Sequence, residues 1–167
     1  MAGMRLSWTV RNHGWAFCSV ADDHADAEVI ASYVTDGPEQ LLSAVARVVL
    51  YETDTQAEFQ AEPTVYRWFF HRDAGTVAIR LVEAPDSRTP ENTGTVIWSS
   101  RQPITTLART IVRAFDTVAT EHGEAGYQTL WGRPFPRHEL EALRAAWRTT
   151  TQPPAAETSG PQGSTRE

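Results

Sequence analysis

Two groups of alternating stretches, separated by one helical pattern and closed by a longer one, constrain this chain more than any other feature. In the first group Leu6, Trp8 and Val10 alternate with Arg5, Ser7 and Thr9. Asn12-His13-Gly14 breaks that run, and Trp15 to Val20 and Glu28 to Val34 follow as two further β-rich stretches around the polar turn Ala21-Asp22-Asp23-His24-Ala25-Asp26. In the second group Ala57, Phe59 and Ala61 alternate with Gln56, Glu58, Gln60 and Glu62, the pattern of a sheet with one wet face. Pro63 ends that strand. Tyr66, Trp68 and Phe70 then share one face of the next, with Val65, Arg67, Phe69 and His71 on the other. Asp73-Ala74-Gly75 signals a hairpin, Val77, Ile79 and Leu81 return, and Thr95 to Ser100 form a seventh strand after a loop holding Pro85, Pro90 and Gly94.

The helical patterns fit around these groups. Pro38 to Tyr51 carries Leu41, Leu42, Val45, Val48 and Val49 on one face, with Asp36 placed to cap it and Glu39 three residues on, as in a capping box. From Pro103, the residues Ile104, Leu107, Ala108, Ile111, Val112, Phe115, Val118 and Ala119 fall at helical spacing, and Gly123 stands where a C-terminal cap belongs. Glu124 to Gly132 reads as a short irregular segment, and Pro136 to Trp147 as a last helix with Leu140, Leu143 and Trp147 aligned. The expectation is an α+β fold, with a mainly antiparallel sheet of about six to seven strands packed on one face by two or three helices. Gly75-Thr76-Val77 and Gly94-Thr95-Val96 look alike but are turn glycines entering strands, and no internal repeat is present.

From Thr149 the chain has no aromatic or large aliphatic side chain to offset the entropy of ordering it. A single domain over 1–148 with a disordered tail at 149–167 follows. The tail holds Glu157, Glu167 and Arg166, so of the net charge of -6 only -1 leaves with it and the acidity belongs to the domain.

That charge excludes one class of partner. Twenty-one acids face fifteen bases, every base is Arg, and Arg and acid alternate without a basic run. Nucleic-acid binding draws on clustered cations, so it is not expected here. An Arg-only, Lys-free composition fits a high-GC bacterial genome. Cys18 is the only cysteine, which rules out an intramolecular disulfide and a two-Cys zinc site in one chain and fits a reducing compartment. The N-terminal residues run into an alternating stretch instead of a signal-peptide pattern, and no apolar run reaches the roughly 18 residues of a membrane helix. The expectation is a soluble cytoplasmic protein without a membrane partner.

Asp22, Asp23, His24 and Asp26 form the densest set of metal-ligand types. They do not make an EF-hand loop, since Ala27 stands where the turn glycine belongs and Tyr33 where the bidentate Glu belongs. The same residues suit a solvated strand-connecting turn. His138-Glu139 is half of a zinc-protease motif, with Ala142 in place of the second imidazole. Cys18 and His13 lie too far apart for a thiolate and its base unless their strands pair there, and a buried small hydrophobe is the simpler role for Cys18. No Gly-x-Ser-x-Gly elbow and no glycine-rich phosphate loop is present, so no cofactor is implied and catalysis has no motif behind it.

Six tryptophans are many for a domain of this size. Trp8, Trp68 and Trp98 sit in alternating strands and belong to the core. Trp131 lies among Tyr127, Arg133 and Phe135 in a segment that interleaves aromatic, Arg and Pro residues. It reads either as a loop pinned over a sheet edge or as a recognition surface. Glu62, Arg67 and His71 are placed to form a polar patch on the open side of the sheet.

Gly14-Trp15-Ala16, Glu62-Pro63 followed by Tyr66-Arg67-Trp68, and His122 to Tyr127 running on to Trp131, Phe135-Pro136 and Leu140 resemble a family of small single-domain proteins of high-GC bacteria, loosely grouped with the immunity-type proteins of toxin systems. The resemblance spans about residues 5 to 147 and departs at Thr64, where a glycine turn is expected, and in the longer tail. It brings no catalytic residue. What it implies is a single-domain architecture. The acidic charge and the aromatic and polar patches, in turn, read as a non-catalytic module that binds a basic protein partner, as an immunity-type protein would, through Tyr127, Trp131, Arg133, Phe135, Glu62 and Arg67. The alternative is a small metal-dependent hydrolase with its site at Asp22, Asp23, His24 and Asp26.

Overall fold

The computed structural model describes residues 3–152. Three strands, β1 (Arg5–Arg11), β2 (Trp15–Ala21) and β3 (Asp26–Ser32), form a first antiparallel sheet in the order β1-β2-β3. After helix α1 (Gly37–Leu50), strands β4 (Asp54–Gln60), β5 (Val65–Asp73), β6 (Thr76–Ala84) and β7 (Thr95–Pro103) form a second antiparallel sheet in chain order. Helices α2 (Ile104–Trp131) and α3 (Arg137–Thr151) complete the fold. The α+β expectation holds, with its seven strands divided between two sheets instead of joined in one.

Each sheet buries one face, as period-two alternation requires. In the first sheet Trp8, Val10, Ala16, Cys18, Val20, Val29 and Ala31 point inward beneath α2. In the second, Ala57, Phe59, Trp68, Phe70, Val77, Ile79, Leu81 and Trp98 do so, with α1 against β4 and β5. Both inner faces belong to one hydrophobic cluster. Trp8 is its hub: its ring lies 5.4 Å from Phe59 of the second sheet, 6.0 Å from Phe115 of α2 and 5.4 Å from Trp131. Trp8, Trp68 and Trp98 are buried as expected. Two polar ties join the sheets at one end, Trp98 Nε1 donating to Ala25 O at 3.2 Å and Ser100 Oγ to Asp22 Oδ2 at 2.7 Å.

Four local expectations need correction. Asp36 makes no side-chain cap to α1; its Oδ1 instead accepts from Gln40 Nε2 at 2.7 Å, and Glu39 Oε2 is buried without a partner. Gly123 does interrupt α2, at φ 65° and ψ 165°, a region open essentially only to glycine. The helix resumes beyond it, however, so the segment expected to be irregular is helical up to Gly132, because Tyr127 and Trp131, four residues apart, both face the core. At the chain's end Thr149, Thr150 and Thr151 extend α3, each hydroxyl donating to the carbonyl three residues back. The rest of the expected tail lies outside the described residues, apart from Gln152. No helix among the described residues is long and apolar enough to cross a membrane.

Candidate functional site

The expected recognition aromatics turn inward. Tyr127 and Trp131 have no exposed surface and Phe135 almost none, with Tyr127 stacked edge-on against Phe135 at 5.2 Å. A ring without exposed surface offers a partner nothing, so these three close the core, two of them from the end of α2 and Phe135 from the segment that follows it. Arg133 pins the segment, its Nε donating to Tyr33 O at 2.6 Å and a terminal nitrogen to Val34 O at 3.2 Å. Burial pushes the Tyr127 phenol up, helped by the nearby Glu39 carboxylate.

Arg67 is buried too. Its Nε pairs with Glu58 Oε2 at 2.9 Å, and its terminal nitrogens donate to Thr89 O at 2.6 Å and Ser87 O at 3.0 Å. It thereby fastens the β6–β7 loop across the outer face of the second sheet. Glu62 is exposed in the β4–β5 turn, with φ 54°. Of the expected patch, Arg67 and His71 share the outer face of β5, while Glu62 lies beyond the strand ends.

The metal alternative finds no support. Asp22 Oδ1 accepts from the backbone N–H groups of His24 and Ala25, both at 2.9 Å, and Oδ2 accepts from Ser100. These bonds, that from Ser100 foremost, hold its carboxyl below the usual range. Among the described residues no three His, Cys, Asp or Glu side chains are placed to hold a metal ion. Asp22, Asp23 and His24 lie in a turn in which Asp22 accepts from the backbone, and Asp26 opens β3. Cys18 is fully buried opposite Trp8, away from the turn that holds His13, and burial raises its thiol pKa.

What the structure does place together is a groove on the outer side of β4. The register sets Asp54, His71 and Ala78 in one row and Gln56, Phe69 and Arg80 in the next. A shallow concavity of about 740 Å³ lies over them, walled by Glu91 and Asn92 of the β6–β7 loop. Phe69 is its floor, with the Arg80 guanidinium 4.8 Å from the ring centroid. His71 Nδ1 meets Asp54 Oδ1 at 2.7 Å, and Gln56 Nε2 donates to Glu91 Oε1 at 2.8 Å.

The hollow continues along the free edge of β4, past Gln56, Arg47 and Gln40, to a recess where Asp36 and Glu39 of the α1 N-terminus face Glu139 of α3. Gln40 bridges its walls, accepting from the Glu58 N–H at 3.0 Å while donating to Asp36. That contact also covers a backbone donor on an edge strand. Burial, then the charges of Glu139 and Asp36, raise the Glu39 carboxyl above its ordinary range. Arg47 is held by Glu52 at 2.7 Å and Arg67 by Glu58, so much of the groove's positive charge is already neutralised and its carboxylates are in excess. Chemically it offers carboxylate and amide oxygens to cationic groups, with an aromatic floor.

Sequence reasoning placed Gln56, Glu58, Arg67, Phe69 and His71 on this outer face, missed Asp54, Gln40 and Glu91, and read Glu39 only as part of a helix cap. Gln56 and Glu58 were legible as a wet face, but nothing in the sequence shows that α1 and the β6–β7 loop rise beside it to make a groove.

No family model matches the sequence, and no curated protein matches it. Among solved structures the chain is similar to one from a "CdiA-CT/CdiI toxin and immunity complex from Enterobacter cloacae", at 9% identity and a TM-score of 0.45, covering 70% of this chain and 99% of that one.

Proposed function

We propose that this protein is a non-catalytic binding module that takes a basic protein partner in the acidic groove along β4, as an immunity-type protein takes a cationic toxin. The observation that carries this reading is the groove itself: a concavity bounded by Asp36, Glu39, Asp54, Glu58, Glu91 and Glu139 against three arginines, of which Arg47 and Arg67 are already paired within the chain and Arg80 lies over Phe69. Excess carboxylates lining a concave surface concentrate field lines and speed encounter with a cationic partner. The family resemblance of the sequence and its -6 net charge point the same way, and the lone cysteine fits a cytoplasmic setting.

The test is capture from a host extract by the full chain, beside the double variant Asp54→Arg/Glu91→Arg. Both positions are exposed, so the variant keeps the wild-type melting temperature. A basic protein held by the wild type, released steeply as salt rises and bound at least about tenfold more weakly by the variant, supports the reading. Equal capture by both, or a partner without basic character, overturns it.

A further inference from the structure

Among the described residues no helix packs on the outer face of the first sheet; α2 lies against the opposite side of β1 and β2, where Ala16, Cys18 and Val20 are buried. The register lays this side out in four rows, Arg11-Trp15-Ser32, Thr9-Phe17-Ile30, Ser7-Ser19-Glu28 and Arg5-Ala21-Asp26, of which only the Ser32 corner is buried. Apolar side chains run down the middle and along part of β3, with Trp15, Phe17 and Ile30 all partly exposed. The Arg11 guanidinium lies 5.3 Å from the Phe17 ring centroid.

The charges sit on opposite edges, bases on β1 and acids on β3. Glu28 is occupied by Ser19 Oγ at 3.1 Å. Arg5 and Asp26, both exposed, make no ion pair among the described residues. Between them small Ala21 leaves a hollow of about 370 Å³.

We infer that this face docks on a second copy of the chain. A two-fold axis running along β2 sets β1 of each copy over β3 of the other, so Arg5 meets Asp26 of its partner twice, each guanidinium entering the hollow at Ala21. The same rotation lays Phe17 on Phe17 and Trp15 on Trp15. An axis across the strands would set Arg5 and Arg11 against the partner's own β1 arginines, so the charge layout selects one arrangement. A face that is its own complement under a two-fold rotation is the requirement of an isologous dimer, and two twisted sheets pack face to face with strands crossing by roughly 30°. Three strands of seven residues present roughly 350 Å² of flat face, well below the roughly 800 Å² per partner of a tight complex. The dimer is therefore concentration-dependent.

Sedimentation of the full chain from about 10 µM to about 1 mM tests this across the range where weak complexes form. The mass rises from 18.6 kDa toward twice that value. Arg5→Asp alone and Asp26→Arg alone each weaken association at least about tenfold, and the double exchange recovers it to within about threefold. A mass that stays at one chain throughout overturns the inference. So do single variants that associate like the wild type, or a double exchange no better than either single.

Discussion

The two sheets obey the same alternation and meet in one core, yet their outer faces have opposite fates. The second sheet's outer face is partly roofed by the β6–β7 loop, and several of its charged groups have partners: Arg67 with Glu58, His71 with Asp54, Arg80 over Phe69. Among the described residues the first sheet's outer face carries no such roof, and Arg5 and Asp26 make no ion pair there. Connection length explains the difference. Three residues join β1 to β2 and four join β2 to β3, whereas ten lie between Ala84 and Thr95. Tight turns cannot reach back over their own strands, whereas a ten-residue connection spans up to roughly 33 Å of extended chain, enough for Arg67 to catch two of its carbonyls. A groove forms where a long loop returns, and a flat interface remains where none does.

The strongest way to break this comparison is to attack what the sheets share. Trp8→Ala removes the ring that touches Phe59, Phe115 and Trp131. It is expected to cost about 3–5 kcal/mol in urea unfolding, with both sheets still lost in one transition. Two separated transitions in the wild type would mean that the sheets are independent units. Next in size, Arg67→Ala leaves Glu58 and two carbonyls without their cation at a nearly buried site. A loss of about 3 kcal/mol is expected, with new protease cleavage between Pro85 and Gly94. Arg5→Ala on the bare face is the matched control, and its stability stays within about 0.5 kcal/mol of wild type in dilute solution.

A smaller change probes how the roof is hinged. Gly94 closes the long loop at φ 118°, and a Cβ there would stand 2.7 Å from Glu83 O and 2.8 Å from Val82 Cγ1, beside the register shift at Leu81/Val82. Gly94→Ala is expected to cost about 1–3 kcal/mol in thermal melts and to loosen the loop without opening the core.

Much of the fold was legible because side-chain period is a local property. The alternation of Leu6, Trp8 and Val10 or of Tyr66, Trp68 and Phe70 names the inner face without reference to any other strand. The helical reading failed at Glu124 to Gly132 because Gly123 and Gly126 weaken local propensity, and tertiary burial of Tyr127 and Trp131 overrides it. The capping box failed because Gln40, one turn on, competes for the Asp36 carboxylate. The site was less legible still. An aromatic cluster such as Tyr127, Trp131 and Phe135 has the same composition whether it faces solvent or core. The groove joins residues of α1, β4, the β6–β7 loop and α3, whose adjacency no local pattern encodes. Trp15, on the bare face, is marked only by standing out of phase with Ala16 and Cys18.

The smallest effect bears on charge. Glu39 sits in the recess with Asp36 and Glu139, and burial raises its pKa in the folded protein above that of the unfolded chain. The folded state then binds the proton more tightly. Stability falls as pH rises from the ordinary carboxylate range through the raised folded value, and is recovered as pH drops back through it. Glu39→Gln removes that dependence. The variant is expected to melt slightly above wild type at neutral pH, by less than any of the losses above, with the gap closing as acid protonates the wild-type carboxyl. Parallel melts across pH decide it, and a gap constant with pH would mean that the Glu39 carboxyl is equally at ease folded and unfolded. If the gap behaves as expected, the chain keeps three mutually repelling carboxylates together at a cost in stability. Such a cost is intelligible where the charges meet a partner's cations, and the paired outer face of the second sheet, unlike the bare face of the first, would then carry its main function.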